Sequence, residues 1–214
     1  MSHQKMLCLA NSRKFNGRCV AGLLTDGSWM RPVTATEDGS LTPAMCMLNI
    51  GRPVQSLDVV LVSVEYRDPR LHQPENWVVA NRPWRFLRTR NLSEVRDFLD
   101  SVLTDEPELL GTRTNKVTWA EIRQNPPSSS VALVKAARPV FTRNPHKRSQ
   151  RRARFKHHGS TYDLPITFDI ELPDTDQDHR SASDWYFTIS LGEPWEEQGS
   201  DCFKLVAGAL EAPA

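Results

Sequence analysis

One stretch of this chain repeats its apolar residues at helical spacing, and strand-like segments flank it on both sides. Val95, Phe98, Leu99, Val102 and Leu103 follow the i, i+3, i+4, i+7 pattern. Asn91 and Glu94 stand at capping-box spacing ahead of it, with Ser93 as the other candidate cap. Thr118 and Glu121 repeat that spacing at a second, shorter helix. Elsewhere the pattern is that of short strands, at residues 5–10, 17–24, 28–33, 57–66, 131–141, 151–156, 161–167, 184–191 and 203–210. The clearest carries Val59, Val60, Leu61, Val62 and Val64. Asp26-Gly27 reads as a hairpin turn, and His158-Gly159-Ser160 as another. Residues 11–17 are polar and read as a loop. Pro32 sets its strand's end at an edge or boundary, and Pro69, Pro74 and Pro83 mark an irregular stretch. Residues 126–130, Pro-Pro-Ser-Ser-Ser, read as a linker. The expected fold is mainly β: two small barrels of four or five strands each, with a short helical insert between them. The expected boundaries are 1–90, 91–127 and 128–214. No internal repeat is visible.

A chain of 214 residues with 39% hydrophobic content can bury such cores. No run of apolar residues is long enough to cross a bilayer, and the N-terminal apolar stretch is too short and poorly flanked for a signal peptide. The expected compartment is the cytoplasm, with no membrane partner. The four cysteines, Cys8, Cys19, Cys46 and Cys202, include no CxxC pair and read as plain thiols. Walker A, HExxH, GxSxG and zinc-deaminase patterns are absent from the sequence. The chain is therefore expected to be non-catalytic and to need no cofactor or metal. Asp163, Asp169 and Glu171 leave a metal-dependent nuclease as a minor alternative.

Charge is where the sequence points toward a function. Residues 143–158 hold seven Lys/Arg, three His and no acid, whereas the whole chain has a formal charge of +1. Removing the run's +7 leaves −6 for everything else. Such a concentrated field attracts polyanions, above all nucleic-acid phosphates. On a strand, Arg152, Arg154 and Lys156 share one face and stand ~6.6 Å apart, while Ala153, Phe155 and His157 share the other. Lys147, Arg148 and Arg151 flank the row. The competing reading is a solvated face neutralised by the acidic loop 174–178. A second group gathers Ser12, Arg13, Lys14, Arg18, Trp29 and Arg31, in which an indole beside a guanidinium offers a stacking surface. A third is Gln73, Glu75 and Asn76, whose amides can read a base edge or stitch a loop to its neighbours. Lys204 interrupts an apolar strand, as a ligand contact or as a side chain that snorkels outward.

Four groups of segments carry a family resemblance. They are Cys8-Leu-Ala-Asn-Ser-Arg-Lys14 with Gly17-Arg-Cys-Val-Ala-Gly22 and Gly27-Ser-Trp-Met-Arg-Pro32; Gln73-Pro-Glu-Asn76; Arg152-Ala-Arg-Phe155 with Tyr162-Asp-Leu-Pro-Ile-Thr167; and Ser190-Leu-Gly-Glu-Pro194 with Cys202-Phe-Lys-Leu-Val-Ala207. In order and spacing the chain resembles the dual OB-fold domain family of prokaryotes from about residue 6 to its end. The resemblance implies two OB-like barrels, nucleic-acid or nucleotide binding, and an association with bacterial defence or conflict systems, whose proteins would be further partners. It supplies no catalytic set. It places Ser12, Arg13, Lys14, Arg18, Trp29, Arg31, Gln73, Glu75, Asn76, Arg152, Arg154, Tyr162 and Lys204 at the family's polar motif positions. Family members follow the threonine matched by Thr167 with Asp-Pro; this chain has Phe168-Asp169 instead.

The expectation is a module that binds single-stranded DNA or RNA. Arg152, Arg154 and Lys156 would hold phosphates, Arg13, Lys14 and Arg31 would extend the path, and Trp29 or Tyr162 would stack on bases. Losing the three row cations would remove about three charges from the salt dependence. The alternatives are a sensor of a small nucleotide or modified base, with Ser12, Gln73, Glu75 and Asn76 in its pocket, and an adaptor docking an acidic protein.

Overall fold

The structure, a computed structural model, describes residues 2–14, 17–147, 149–172, 177–195 and 200–212. The chain divides into two compact units, Met1–Val102 and Leu103–Ala214.

The first unit is built on strands β1 (Ser2–Lys14), β2 (Gly17–Leu23), β3 (Trp29–Val33), β4 (Asp58–Arg67), β5 (Asn76–Val79) and β6 (Arg85–Thr89), with helix α1 (Leu92–Ser101) after them. The first half of β1 pairs with β4 and the second half with β2, with a bulge between Cys8 and Ala10. A bulge bends a strand and raises its twist, which lets one long strand serve two partners. The circuit β1-β2-β3-β5-β4 closes through the β1–β4 pairing, and β6 adds an edge to β4. All contacts in the circuit are antiparallel except β3 with β5. This is the closed five-stranded OB barrel. Its core holds Met6, Cys8, Val20, Met30, Val60, Val62, Val64 and Trp84. Val60, Val62 and Val64 come from one face of β4, as strict alternation requires.

Local chemistry sets the remaining edges. Asp26-Gly27 turns β2 into β3, with Gly27 at φ +84°. At the start of α1 the Asn91 N–H donates to Glu94 Oε2 at 2.7 Å, and the Glu94 N–H donates to the Asn91 carbonyl at 3.0 Å. The sequence reads residues 11–17 as a loop, yet residues 11–14 continue β1, because the polar end of this strand still has β2 to pair with. β5 and β6 fall in the stretch read as irregular. They are four and five residues long and each follows a proline, which hid them. Pro32 lies within β3 rather than at its end, but β2 pairs with β3 only at Trp29 and Met30. The Arg31 N–H donates to Glu75 O on the β5 side, so residue 32 turns toward the side where no ladder bond is missing.

The second unit has two four-stranded sheets around one core. One runs β11 (Ser160–Pro165), β10 (Arg151–His157), β9 (Val140–Arg143) and β12 (His179–Arg180). The other runs β7 (Lys116–Val117), β14 (Asp201–Glu211), β13 (Trp185–Trp195) and β8 (Val131–Ala136). Ile166 bridges to Val206 where the sheets meet. Phe141, Ala153, Phe155, Tyr162, Leu164, Phe187, Ile189 and Val206 fill the interior. The architecture is mainly β and OB-like in both halves, closed in the first and half-barrel in the second. Helix α1 belongs to the first unit, and α2 (Trp119–Gln124), capped by Thr118 and Glu121, to the second. Among the described residues, no helix is long and apolar enough to cross a membrane.

Candidate nucleic-acid interface

β10 alternates as its sequence demands. Ala153 and Phe155 are buried, Arg152 is half-buried, and Arg154 and Lys156 are exposed. Phe155 stacks on Tyr162 at 5.8 Å between ring centroids and meets Phe187 edge-on at 5.3 Å. That aromatic cluster fixes the strand so that its other face turns to solvent.

The register of β10 against β11 then decides the electrostatics. His158 and Gly159 have φ of 44° and 79°, the left-handed pair of a two-residue hairpin turn. Counting back from this turn puts Asp163 opposite Arg154. Arg152 Nε donates to Asp163 Oδ1 at 2.7 Å and its NH2 to the Asp163 carbonyl. Arg154 reaches the other Asp163 oxygen at 3.4 Å and Asp178 at 3.5 Å. The row is therefore not three equivalent open cations. Arg152 is committed, Arg154 is shared loosely between two carboxylates, and Lys156 has no ion pair among the described residues. Asp178 comes from the acidic segment 174–178 of the competing reading, of which residues 174–176 lie outside the described residues. Arg180, opposite Val140 in β12, adds a further exposed cation that the sequence did not single out.

The unit's own acids offset the run. Leu103–Ala214 holds 14 Lys/Arg and 16 Asp/Glu, a net −2, whereas Met1–Val102 holds 13 and 10, a net +3. Lys147 is exposed at the turn after β9. Arg151 is half-buried opposite Arg143, and Arg148 lies outside the described residues. His157 Nε2 meets the Glu106 carbonyl at 2.8 Å, and burial lowers the imidazole below its usual range.

Two residues expected at the interface are interior. Tyr162 is 0% exposed, its hydroxyl donates to Thr112 O at 3.0 Å, and its ring has no free face for a base. Lys204 is also 0% exposed: it neither snorkels outward nor reaches a surface ligand. Its Nζ donates to Thr112 O (2.8 Å), Thr112 Oγ1 (2.7 Å) and Thr114 O (2.8 Å) and sits 5.3 Å from the Tyr162 ring centroid. Burial pushes this ammonium down to about 7, against the pull of Glu121 and Glu108.

The first-unit candidates split in the same way. Arg31, Gln73, Glu75 and Asn76 are all at least 96% buried. Arg31 Nε pairs with Glu75 Oε1 at 2.9 Å, and Arg31 NH1 touches Cys19 Sγ at 3.2 Å. Asn76 Nδ2 donates to Gln73 Oε1 at 3.3 Å, which ties the β4–β5 loop to itself. These residues brace the loop beside the parallel β3–β5 pair. Trp29 is half-buried, and Arg31, two residues on in β3, turns inward to Glu75. Ser12 is buried and donates to the Cys19 carbonyl. Arg13 and Arg18 face each other across the β1–β2 hairpin, the first exposed and the second half-buried, and Lys14 donates to the Asp38 carbonyl. The pair of strands β2 and β3 with the β1–β2 and β4–β5 loops is the surface on which OB barrels bind oligonucleotides.

Asp163 is taken up by arginines, and among the described residues no group of three His, Cys, Asp or Glu could hold a metal ion. Cys8, Cys46 and Cys202 are buried free thiols, and burial raises the last two to about 12.

Comparison with known families adds one finding. The model of the dual OB-containing domain matches residues 4–209. The chain belongs to this family. The match spans both units of the dual OB-containing domain, in agreement with the closed barrel and the half-barrel sheets. No curated protein and no solved structure matches it.

Proposed function

We propose that this dual OB-containing domain is a non-catalytic nucleic-acid-binding module for single-stranded DNA or RNA. The observation that carries the reading is the outward face of β10, where Lys156 and Arg154 project from a strand anchored by Phe155. Arg154 is 46% exposed and its two carboxylate contacts are long. Exposed ion pairs of this kind contribute about 0–1 kcal/mol. A phosphate oxygen can therefore displace Asp163 or Asp178 from Arg154 at little cost. Arg152, at 2.7 Å from Asp163 and donating also to its backbone, stays where it is and orients that carboxylate.

Guanidinium and ammonium contacts of this kind grip the backbone and leave base identity unread. Binding is then electrostatic and tolerant of sequence. Arg13 and Lys14 on the β1–β2 hairpin provide cations in the first unit. Fluorescence anisotropy with labelled single-stranded DNA, single-stranded RNA and duplexes at low salt tests the proposal. Single strands bind, and Lys156→Glu weakens them roughly fivefold to tenfold. Absence of binding to every polyanion, or an unchanged affinity in that variant, overturns it.

A further inference from the structure

Arg82, Arg85, Arg88 and Arg90 fall within nine residues that contain no acid. They open and line β6, a strand whose register is known. Arg85 lies opposite Leu61 and Arg88 opposite Val59 on β4. On the other side of β4, Lys5 lies opposite Leu61 and His3 opposite Ser63. His3, Lys5, Leu61, Ser63, Arg85 and Arg88 therefore share one face of β1, β4 and β6, the face turned away from the Val60, Val62 and Val64 core. It is also distinct from the β2–β3 surface. A cleft of about 440 Å³ opens on it, lined by His3, Leu61, Ser63, Arg82, Pro83 and Arg85.

We propose that this cleft is a second binding site, for a phosphate-bearing ligand of mononucleotide size. Arg82 and Arg85 are exposed, and among the described residues neither side chain has an ion pair or hydrogen bond. Among the described residues no carboxylate lines the cleft. Glu65 is exposed two residues beyond Ser63 on β4 and is not part of the lining. The contrast with β10 is direct: there the arginines face Asp163, and here they face solvent. Ser63 is 94% buried, yet its hydroxyl has no partner among the described residues. Two planar guanidinium forks, an imidazole and a recessed hydroxyl make a donor set suited to a phosphate group. Leu61 and Pro83 supply an apolar wall on which a sugar or ring can lie. The volume lies within the range of small-ligand pockets. Arg90 is engaged by Glu94 at 3.3 Å and stands outside the site.

Titration calorimetry of the full chain with adenosine monophosphate, uridine monophosphate, pyrophosphate and adenosine tests the inference. The phosphates bind and adenosine does not. Arg82→Ala/Arg85→Ala loses at least tenfold in affinity while its unliganded melting temperature stays put, because both side chains are exposed and unpaired. Ser63→Ala loses about threefold. A second arm uses a short oligonucleotide with and without a 5′-phosphate. Binding confined to the phosphorylated strand, and lost in the double variant, assigns the same phosphate chemistry to a strand end rather than to a free nucleotide. If no phosphate probe binds at millimolar concentration, or the double variant binds as tightly as the parent chain, the site does not exist. Lys156→Glu leaves this binding intact, so a failure here is separable from a failure of the β10 interface.

Discussion

Arg31 and Glu75, candidate ligand-binding residues in the sequence, form a buried ion pair, and their removal measures whether that pair braces the fold or serves a ligand. The pair is 2.9 Å apart with both side chains 4% exposed. At an effective dielectric of about 20 the mutual attraction is about 6 kcal/mol, against which the desolvation of both ions must be set. Replacing one partner takes its charge away from beside the other while that one stays buried, which costs about 3–5 kcal/mol. Arg31→Met and Glu75→Leu should each lose that much, and the double variant should lose less than the sum, with a coupling energy of about 2–3 kcal/mol. For a unit of this size such a loss lowers the melting temperature by roughly 12–24 °C. Urea unfolding followed by tryptophan fluorescence reads it, since Trp29 and Trp77 each stand two residues from the pair. The double variant, folded at low temperature, should bind oligonucleotides as the parent chain does. Single variants costing under about 1 kcal/mol, or a stable variant with tenfold weaker oligonucleotide binding, would refute the structural role.

Other perturbations give outcomes as specific. Asp58 is fully buried, and burial alone would raise its carboxyl; Arg52 at 2.7 and 2.8 Å, the Thr89 hydroxyl and the Gln55 N–H outweigh burial and hold it below the usual range. Its contribution is therefore complete above the unfolded carboxylate pKa of about 3.9 and is lost as pH falls through the lower folded value. Asp58→Asn should flatten that acid limb in urea midpoints taken from pH 2 to 6, and should lower stability at neutral pH. Lys204 titrates lower in the folded state, at about 7, than the 10.5 of a free lysine. Between those values the unfolded chain holds the extra proton, so this group makes stability rise with pH from about 7 to 10.5 and contributes no slope below 7. Lys204→Met should abolish that rise and lower neutral-pH stability by about 2–4 kcal/mol, because the Thr112 and Thr114 carbonyls lose their donor. A variant with the parent's pH profile would contradict the assignment.

Much of the fold was legible where local chemistry alone decides it. Val60, Val62 and Val64 alternate, two capping boxes announce α1 and α2, and His158-Gly159 forces a hairpin. β5 and β6 were not legible, since four or five residues after a proline carry too little periodicity and exist because β4 offers them an edge. The site divides along the same line. The outward row of β10 follows from alternation. Its neutralisation by Asp163 was also within reach, because the two-residue turn fixes the register and places that aspartate opposite Arg154. The Arg31–Glu75 pair was out of reach: it joins residues 44 apart through the parallel β3–β5 contact, which no local pattern signals. The burial of Lys204 has no local signal, because its three acceptors lie about 90 residues away, in and beside the loop before β7. The arginines of β6 were visible as a charge run all along, overshadowed by the longer run at 143–158.

The central claim is that Lys156 and Arg154 meet phosphates while Arg152 remains with Asp163. The salt dependence of single-strand binding tests it most directly. Each phosphate contact contributes about 0.7 to the slope of log K against log salt for a single strand. Arg154→Ala/Lys156→Ala should make that slope shallower by about 1.4, and adding Arg152→Ala should change it no further. A slope that stays at the parent value in the double variant would contradict the account.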